Sequence, residues 1–221
     1  MMIFLMCSAA CGLTLPPALS APRPPASATT IQPLADKQPR PPLEPLDAAM
    51  LTAFRWQLQQ QTAEVVATPG FEGMIEELRH YQARANLSEQ QEVGFRTMVA
   101  LGGPIPATFK FIASRTDWGP GALAWWTSKL LGFLVGDLTR TQRKAGDTRT
   151  GGVLVERCAV LEQSGCKGTC VHMCKVPTER FFAERWGMPL HMAPNFETCQ
   201  CQLSFGEAPP ALEEDPTLPL G

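Results

Sequence analysis

The 221-residue chain is short of charge. Only 18% of its residues are Asp, Glu, Lys or Arg, and 19 basic against 21 acidic side chains leave a net charge of −2. A partner held through its phosphate backbone requires a basic surface, so nucleic acid is excluded as the expected partner. The chain also lacks a G-x-S-x-G elbow, a Walker loop and a dinucleotide glycine fingerprint, which removes local support for hydrolase and nucleotide-dependent chemistry. No apolar run reaches the roughly 20 residues of a spanning helix. The run at the start is broken at Pro16-Pro17, and ALAWWTSKLLGFLV (122–135) is interrupted by Thr127, Ser128 and Lys129. Internal repeats are absent as well. A hydrophobic share of 44% is nevertheless too high for a fully disordered chain and sufficient for one moderate domain.

What is plentiful is unevenly placed. Ten of the 21 prolines lie in residues 1–45, and six of the eight cysteines lie between Cys158 and Cys201. Residues 1–21 carry no charged side chain and resemble the apolar core of a secretory signal, although no basic residue precedes Arg23. Residues 22–45, rich in Pro, Ser, Thr and Ala, look more like an organelle transit peptide. The alternative is a plain proline-rich tail. Residues 1–45 are therefore expected to be a disordered targeting leader.

The body reads as helical first. Asp47 is expected to cap a helix carrying Met50, Phe54, Leu58 and Val65 and ending near Pro69-Gly70. A second helix is predicted over Phe71–Ala85. A third is predicted from a Ser88/Gln91 capping box to the stop at Gly102-Gly103-Pro104. Ile105–Ser114 and Trp118–Val135 follow; the latter is either a core-facing helix or an interfacial helix beside an apolar ligand, where tryptophans favour the boundary. After a polar break at TRTQRKAGDTRTGG, Val153–Arg157 reads as a strand. Short helices are predicted over 167–175 and from Pro177 to Trp186, and strands over Leu190–Met192 and Cys199–Phe205. The tail from Pro209 is expected to fray. The expected fold class is α+β, with a mainly helical N-terminal part (46–150) and a cysteine-rich C-terminal part (151–216). The latter would hold a small antiparallel sheet and a cysteine-bearing helix, and 217–221 a tail.

Cys166, Cys170 and Cys174 follow one another at four-residue steps, with Cys158 before them and Cys199 and Cys201 after. On a helix, residues four apart share a face, so Cys170 and Cys174 can address one centre. Thiolates in this number suit iron, an iron–sulfur cluster or zinc. The spacing matches neither paired zinc knuckles nor ferredoxin runs, and disulfides or buried free thiols are the alternatives. His172 lies two residues from each of two cysteines, which points its ring elsewhere. His80 and His191 stand alone. No residue is singled out as a general acid or base; Glu156 and Glu197 are the acids nearest the cysteines in sequence, a weak pointer.

The text GVLVERCAVLEQSGCKGTCVHMCKVPTERFF, followed by GMPLHMAPNFE and FGEAPPALEEDP, resembles the plastid β-carotene isomerases of the strigolactone pathway, the family named after the rice mutant dwarf twenty-seven. PGFEGMIEEL and FLVG upstream are similar too, so the resemblance covers roughly residues 50–216. It implies a non-haem iron protein of plastids that interconverts all-trans- and 9-cis-β-carotene. By position, Cys158, Cys166, Cys170, Cys174 and Cys201 match family cysteines and are the implied metal ligands, with iron or an iron–sulfur cluster as cofactor. Asn195, Phe196 and Glu197 also match. His172 stands where Asn is expected, His191 where Thr is expected, and Cys199 is additional. The implied partners are a carotenoid and, peripherally, plastid membranes. Candidate walls of its channel, chosen by apolar size, are Trp125, Trp126, Phe133, Phe181, Phe182 and Trp186. The alternative is a non-catalytic carotenoid- or lipid-binding protein whose metal or cluster is structural.

Overall fold

The computed structural model describes residue 40 and residues 42–112, 115–143 and 150–218; the expected leader lies almost wholly outside the described residues. Helix α1 (Pro45–Thr62) opens on a proline at its first position, which is preset for a helix, so the expected cap Asp47 sits inside the first turn. Ala63 in the left-handed region ends it seven residues before Gly70, and Val65 is exposed beyond that end. Helix α2 (Gly70–Arg84) matches its expected span within a residue at each end. The capping box of α3 (Leu87–Gly102) is Asn86 with Glu89, two residues before the expected pair: Asn86 Oδ1 accepts from Glu89 N, and Glu89 Oε2 accepts from Asn86 N.

Helices α4 (Ile105–Ile112), α5 (Gly119–Leu130) and α6 (Gly132–Val135) follow. The single helix expected over Trp118–Val135 is thus broken at Leu131-Gly132. Just ahead of α1, Arg40 donates to the carbonyls of Gly132 and Phe133, and its guanidinium stacks over the Phe71 ring.

The sheet is four-stranded and wholly antiparallel, in the order β1-β2-β4-β3. Its strands are β1 (Leu138–Gln142), β2 (Thr150–Val155), β3 (Leu190–Pro194) and β4 (Cys201–Phe205). Strand β1 falls in the stretch read as a polar break. It is an edge strand whose polar residues face outward, so it shows no apolar alternation. Strand β2 reaches back three residues further than expected, through Gly151 and Gly152, to pair with β1; Gly151 is the extra residue of a bulge, since Thr141 pairs with Gly152 and Gln142 with Thr150. A Cβ on Gly152 would lie 2.2 Å from Gln142 O and 2.5 Å from Thr141 Oγ1. Gly152→Ala is therefore expected to cost about 1–3 kcal/mol by overpacking and to lower Tm by several degrees in a thermal melt; an unchanged melt would show that β1 can move aside freely.

Pairing Val155 with Cys201, Val153 with Leu203, and Met192 and Leu190 with Leu203 and Phe205 gathers these residues on one buried face. Against this face lies a composite helix. A π-helical turn (Thr169–Lys175) runs into α8 (Val176–Phe181) and a second π turn (Phe182–Trp186), where two separate helices were expected. A short helix, α7 (Ala159–Ser164), not expected, precedes it, with Cys158 at its N-terminal cap. The composite helix meets α3 at Gly94, where a Cβ would stand 2.8 Å from Pro177 Cγ and 2.9 Å from Met173 O. The tail does not fray at once: Asp215 and Leu218 are buried.

Candidate thiol site

The composite helix brings Cys170 and Cys174 together from one side, and β4 brings Cys201 from the other. Cys158 joins them at the start of α7. Cys158, Cys174 and Cys201 each lie close enough to Cys170 for their ionised forms to raise its pKa, and Cys158 and Cys174 stand in the same relation to Cys201. Cys199 is held close by its carbonyl, which accepts from Cys158 N at 2.7 Å. It is not in the strand expected to contain it; it takes the left-handed conformation (φ 59°) at the end of the β3–β4 turn. Cys166 sits before the π turn, its carbonyl accepting from Cys170 N at 3.4 Å, and its sulfur is not among those whose charges act on Cys170 or Cys201. All six described cysteines are free.

Burial dominates the electrostatics of these thiols. It pushes Cys158 up, with backbone hydrogen bonds from Leu161 and Val160 opposing it, and it pushes Cys174 to about 12 and Cys199 to about 11, where Cys158 adds to the effect. Burial and sulfur charge together raise Cys170 and Cys201 well above the ordinary range, against an opposing pull from Lys175. At neutral pH the site is a protonated thiol cluster, and a bound cation would have to displace those protons, since thiolate is the ligand form. The donors therefore suit iron in kind. Their arrangement does not close on an ion: among the described residues no three His, Cys, Asp or Glu side chains form a metal-holding group.

Beside the thiols lies a site that the sequence reading missed. Lys175 is buried, and its ammonium donates to Glu179 Oε1 at 2.6 Å and Met192 O at 2.6 Å, and pairs with Asp215 Oδ2 at 2.9 Å. Two of its N–H groups thus meet acceptors, while Asp215 is held by charge. Glu179 also accepts from Met192 N at 2.8 Å, and Asp215 Oδ1 from the Thr217 backbone and hydroxyl. The only sequence signal was Lys175 four residues before Glu179, a spacing common on exposed helix faces.

The other expected residues sort themselves clearly. His172 meets α3: the Gln91 amide nitrogen, which can only donate, lies 3.2 Å from His172 Nδ1, so Nδ1 accepts, and burial lowers the pKa of the ring. His191 Nε2 stands 3.8 Å from Asp215 Oδ2. Glu156 and Glu197 are exposed. Asn195 builds a turn, accepting from the backbone of Glu197 and Thr198, while Phe196 is buried under the Lys167 ammonium. The six aromatic residues expected to line one channel are divided. Phe181, Phe182 and Trp186 form a ring cluster with Phe109 and Phe205, Phe133 packs on Phe54, and Trp125 and Trp126 are exposed.

An α+β domain that buries a cluster of free thiols between a π-distorted helix and an antiparallel sheet is thus the class of structure in hand. Residues 133–214 match the family model described as Beta-carotene isomerase D27-like, C-terminal. The chain is 26% identical over 151 residues to Beta-carotene isomerase D27, chloroplastic, of Medicago truncatula, covering 67% of this chain and 60% of that protein. It is 44% identical over 66 residues to the protein of the same name from Arabidopsis thaliana, covering 30% and 25%. The chain thus spans at most about 60% of the length of either relative. No solved structure matches.

Proposed function

We propose that this protein is a plastid carotenoid cis–trans isomerase acting on β-carotene, with all-trans and 9-cis forms as substrate and product. The observation that carries the reading is that the segment matching the isomerase family, 133–214, is the one that folds around the buried thiol cluster. The relatives' names supply the substrate class and the chloroplast address. Turning one double bond of a polyene needs no water, nucleotide or acyl intermediate, only a temporary loss of bond order, which agrees with the missing hydrolase and nucleotide motifs. The chain's own part would be to bind the hydrocarbon, exclude water and choose the bond. The cluster of Phe181, Phe182 and Trp186, joined by Phe109 of α4, supplies an apolar lining on the same composite helix that carries Cys170 and Cys174.

The cofactor reading is iron held by Cys158, Cys170, Cys174 and Cys201, with Cys166 as a further ligand; iron would supply one-electron chemistry when bound. Closing that set requires loss of the thiol protons. Cys170→Ser and Cys174→Ser are each expected to lower iron per chain and isomer formation together, read by metal analysis of anaerobically prepared protein and by chromatographic separation of β-carotene isomers. A variant that forms isomer without iron removes the iron reading. A parent chain that binds pigment and leaves the isomer ratio at its uncatalysed value removes the isomerase reading and supports the non-catalytic binder.

A further inference from the structure

Large apolar side chains are exposed on two successive helices. Ile105, Phe111 and Ile112 on α4, and Trp118, Trp125 and Trp126 at and along α5, are all 44% exposed or more, and Phe111 is 92% exposed. Positions 118, 125 and 126 lie seven and eight apart, one face of a helix. Trp118 also meets Phe109 of α4 edge-on, with ring centroids 6.5 Å apart, which joins the two helices at that corner. The opposite side of α5 is committed: Leu123, Ala124 and Thr127 are buried, and the helix lies against β1, β2 and β4.

The charge around this patch has its own sign. Neither α4 nor α5 contains an acidic residue; across 105–130 Arg115 and Lys129 are exposed cations and the one acid is Asp117, while Lys110 donates to the Glu184 carbonyl. The chain as a whole is at −2, so a basic, tryptophan-rich surface stands out on an acidic protein. Tryptophan beside cations suits the boundary between headgroups and acyl chains, where the ring sits at the interface and the cation meets anionic lipid. Among the described residues no helix is long and apolar enough to cross a membrane.

We infer that the α4–α5 corner is a docking surface for an anionic lipid bilayer, inserted to headgroup depth through Phe111, Trp118, Trp125 and Trp126. The inference rests on the proposed function only for its purpose: a water-insoluble polyene dissolved in a bilayer has to be collected from it. It gives the exposed tryptophans a role that the channel reading does not.

The full chain tests this with vesicles of phosphatidylcholine alone and of phosphatidylcholine with phosphatidylglycerol, scored by co-sedimentation. Binding is expected on the anionic vesicles and should weaken as salt is raised. The variant F111S/W125S/W126S should bind them at least about 10-fold more weakly through lost apolar insertion. R115E/K129E should weaken binding by about the same factor while leaving the apolar contacts. Both variants change exposed side chains, and circular dichroism checks that each is folded. Binding unchanged in both variants would place the membrane contact elsewhere, for example on the apolar residues 1–21, and overturn the inference. A parent chain that ignores vesicles but forms a dimer broken by F111S/W125S/W126S would also overturn it, with a second copy as the occupant. Vesicle binding without isomerisation keeps the docking surface and removes the isomerase; isomerisation in detergent without vesicle binding does the reverse.

Discussion

Lys175→Met is expected to destabilise the chain by about 3–5 kcal/mol, the cost of removing one partner from a buried ionic network. The ammonium donates to Glu179 and Met192 O and pairs with Asp215, and its loss leaves two buried carboxyl groups without their cation. Burial already raises Glu179, and its hydrogen bonds from Lys175 and Met192 only partly offset this, so in the variant that carboxyl should take up a proton. The variant should also release the C-terminal segment, because Asp215 is what ties it to the composite helix. Urea denaturation measures the loss, and limited proteolysis near residue 215 reports the release. The triple change Lys175→Met, Glu179→Gln and Asp215→Asn should lose less than the separate changes add up to, since it removes the charges together. A loss below about 1 kcal/mol for Lys175→Met would mean that the network contributes little beyond satisfying itself.

Glu77→Ala is expected to have a comparable effect at the other end of the molecule, again about 3–5 kcal/mol. Glu77 is fully buried between α1 and α2. It accepts from Arg55 Nε at 2.9 Å and Nη2 at 2.7 Å, Gln59 Nε2 at 2.7 Å and Val66 N at 3.2 Å. Burial alone would push this carboxyl up. Hydrogen bonds from Arg55, Gln59 and Val66, with the Arg55 charge, outweigh burial and hold it below its ordinary value. The folded chain therefore keeps Glu77 ionised to lower pH than the unfolded chain does. Its stabilisation is complete above the unfolded value of about 4.3 and is lost as pH falls through the lower folded value. The parent's denaturation midpoint should drop across that acid window, and Glu77→Ala should remove this group's share of the drop. An identical acid limb in both proteins would show that Glu77 is protonated alike in the folded and unfolded chains.

These two networks show where sequence reasoning stops. Lys175 and Glu179, four apart on a helix, look like any solvated ion pair, and only the arrival of β3 and the C-terminal segment makes them a core element. Arg55 and Glu77 are 22 residues apart, on different helices, and nothing local links them. Strand β1 was hidden for another reason: a polar edge strand does not need apolar alternation. The aromatic residues chosen for one channel were chosen by size, and size does not say which ring turns inward. Trp125 and Trp126 point outward while Phe181 and Phe182 form part of the core.

The sequence by itself determined the α+β class, the order of the helices before the main sheet strands, and the third helix's stop at glycine and proline. Each depends on local periodicity or on backbone freedom at named residues. The convergence of Cys158, Cys170, Cys174 and Cys201, the burial of Lys175 and the apolar corner of α4 and α5 were decided by tertiary structure. They arise where the paired β2, β3 and β4 meet the composite helix, and where α5 has spent its buried face on the sheet. Contacts between residues dozens of positions apart are set by how faces pack, and packing is not written in the spacing of any single segment.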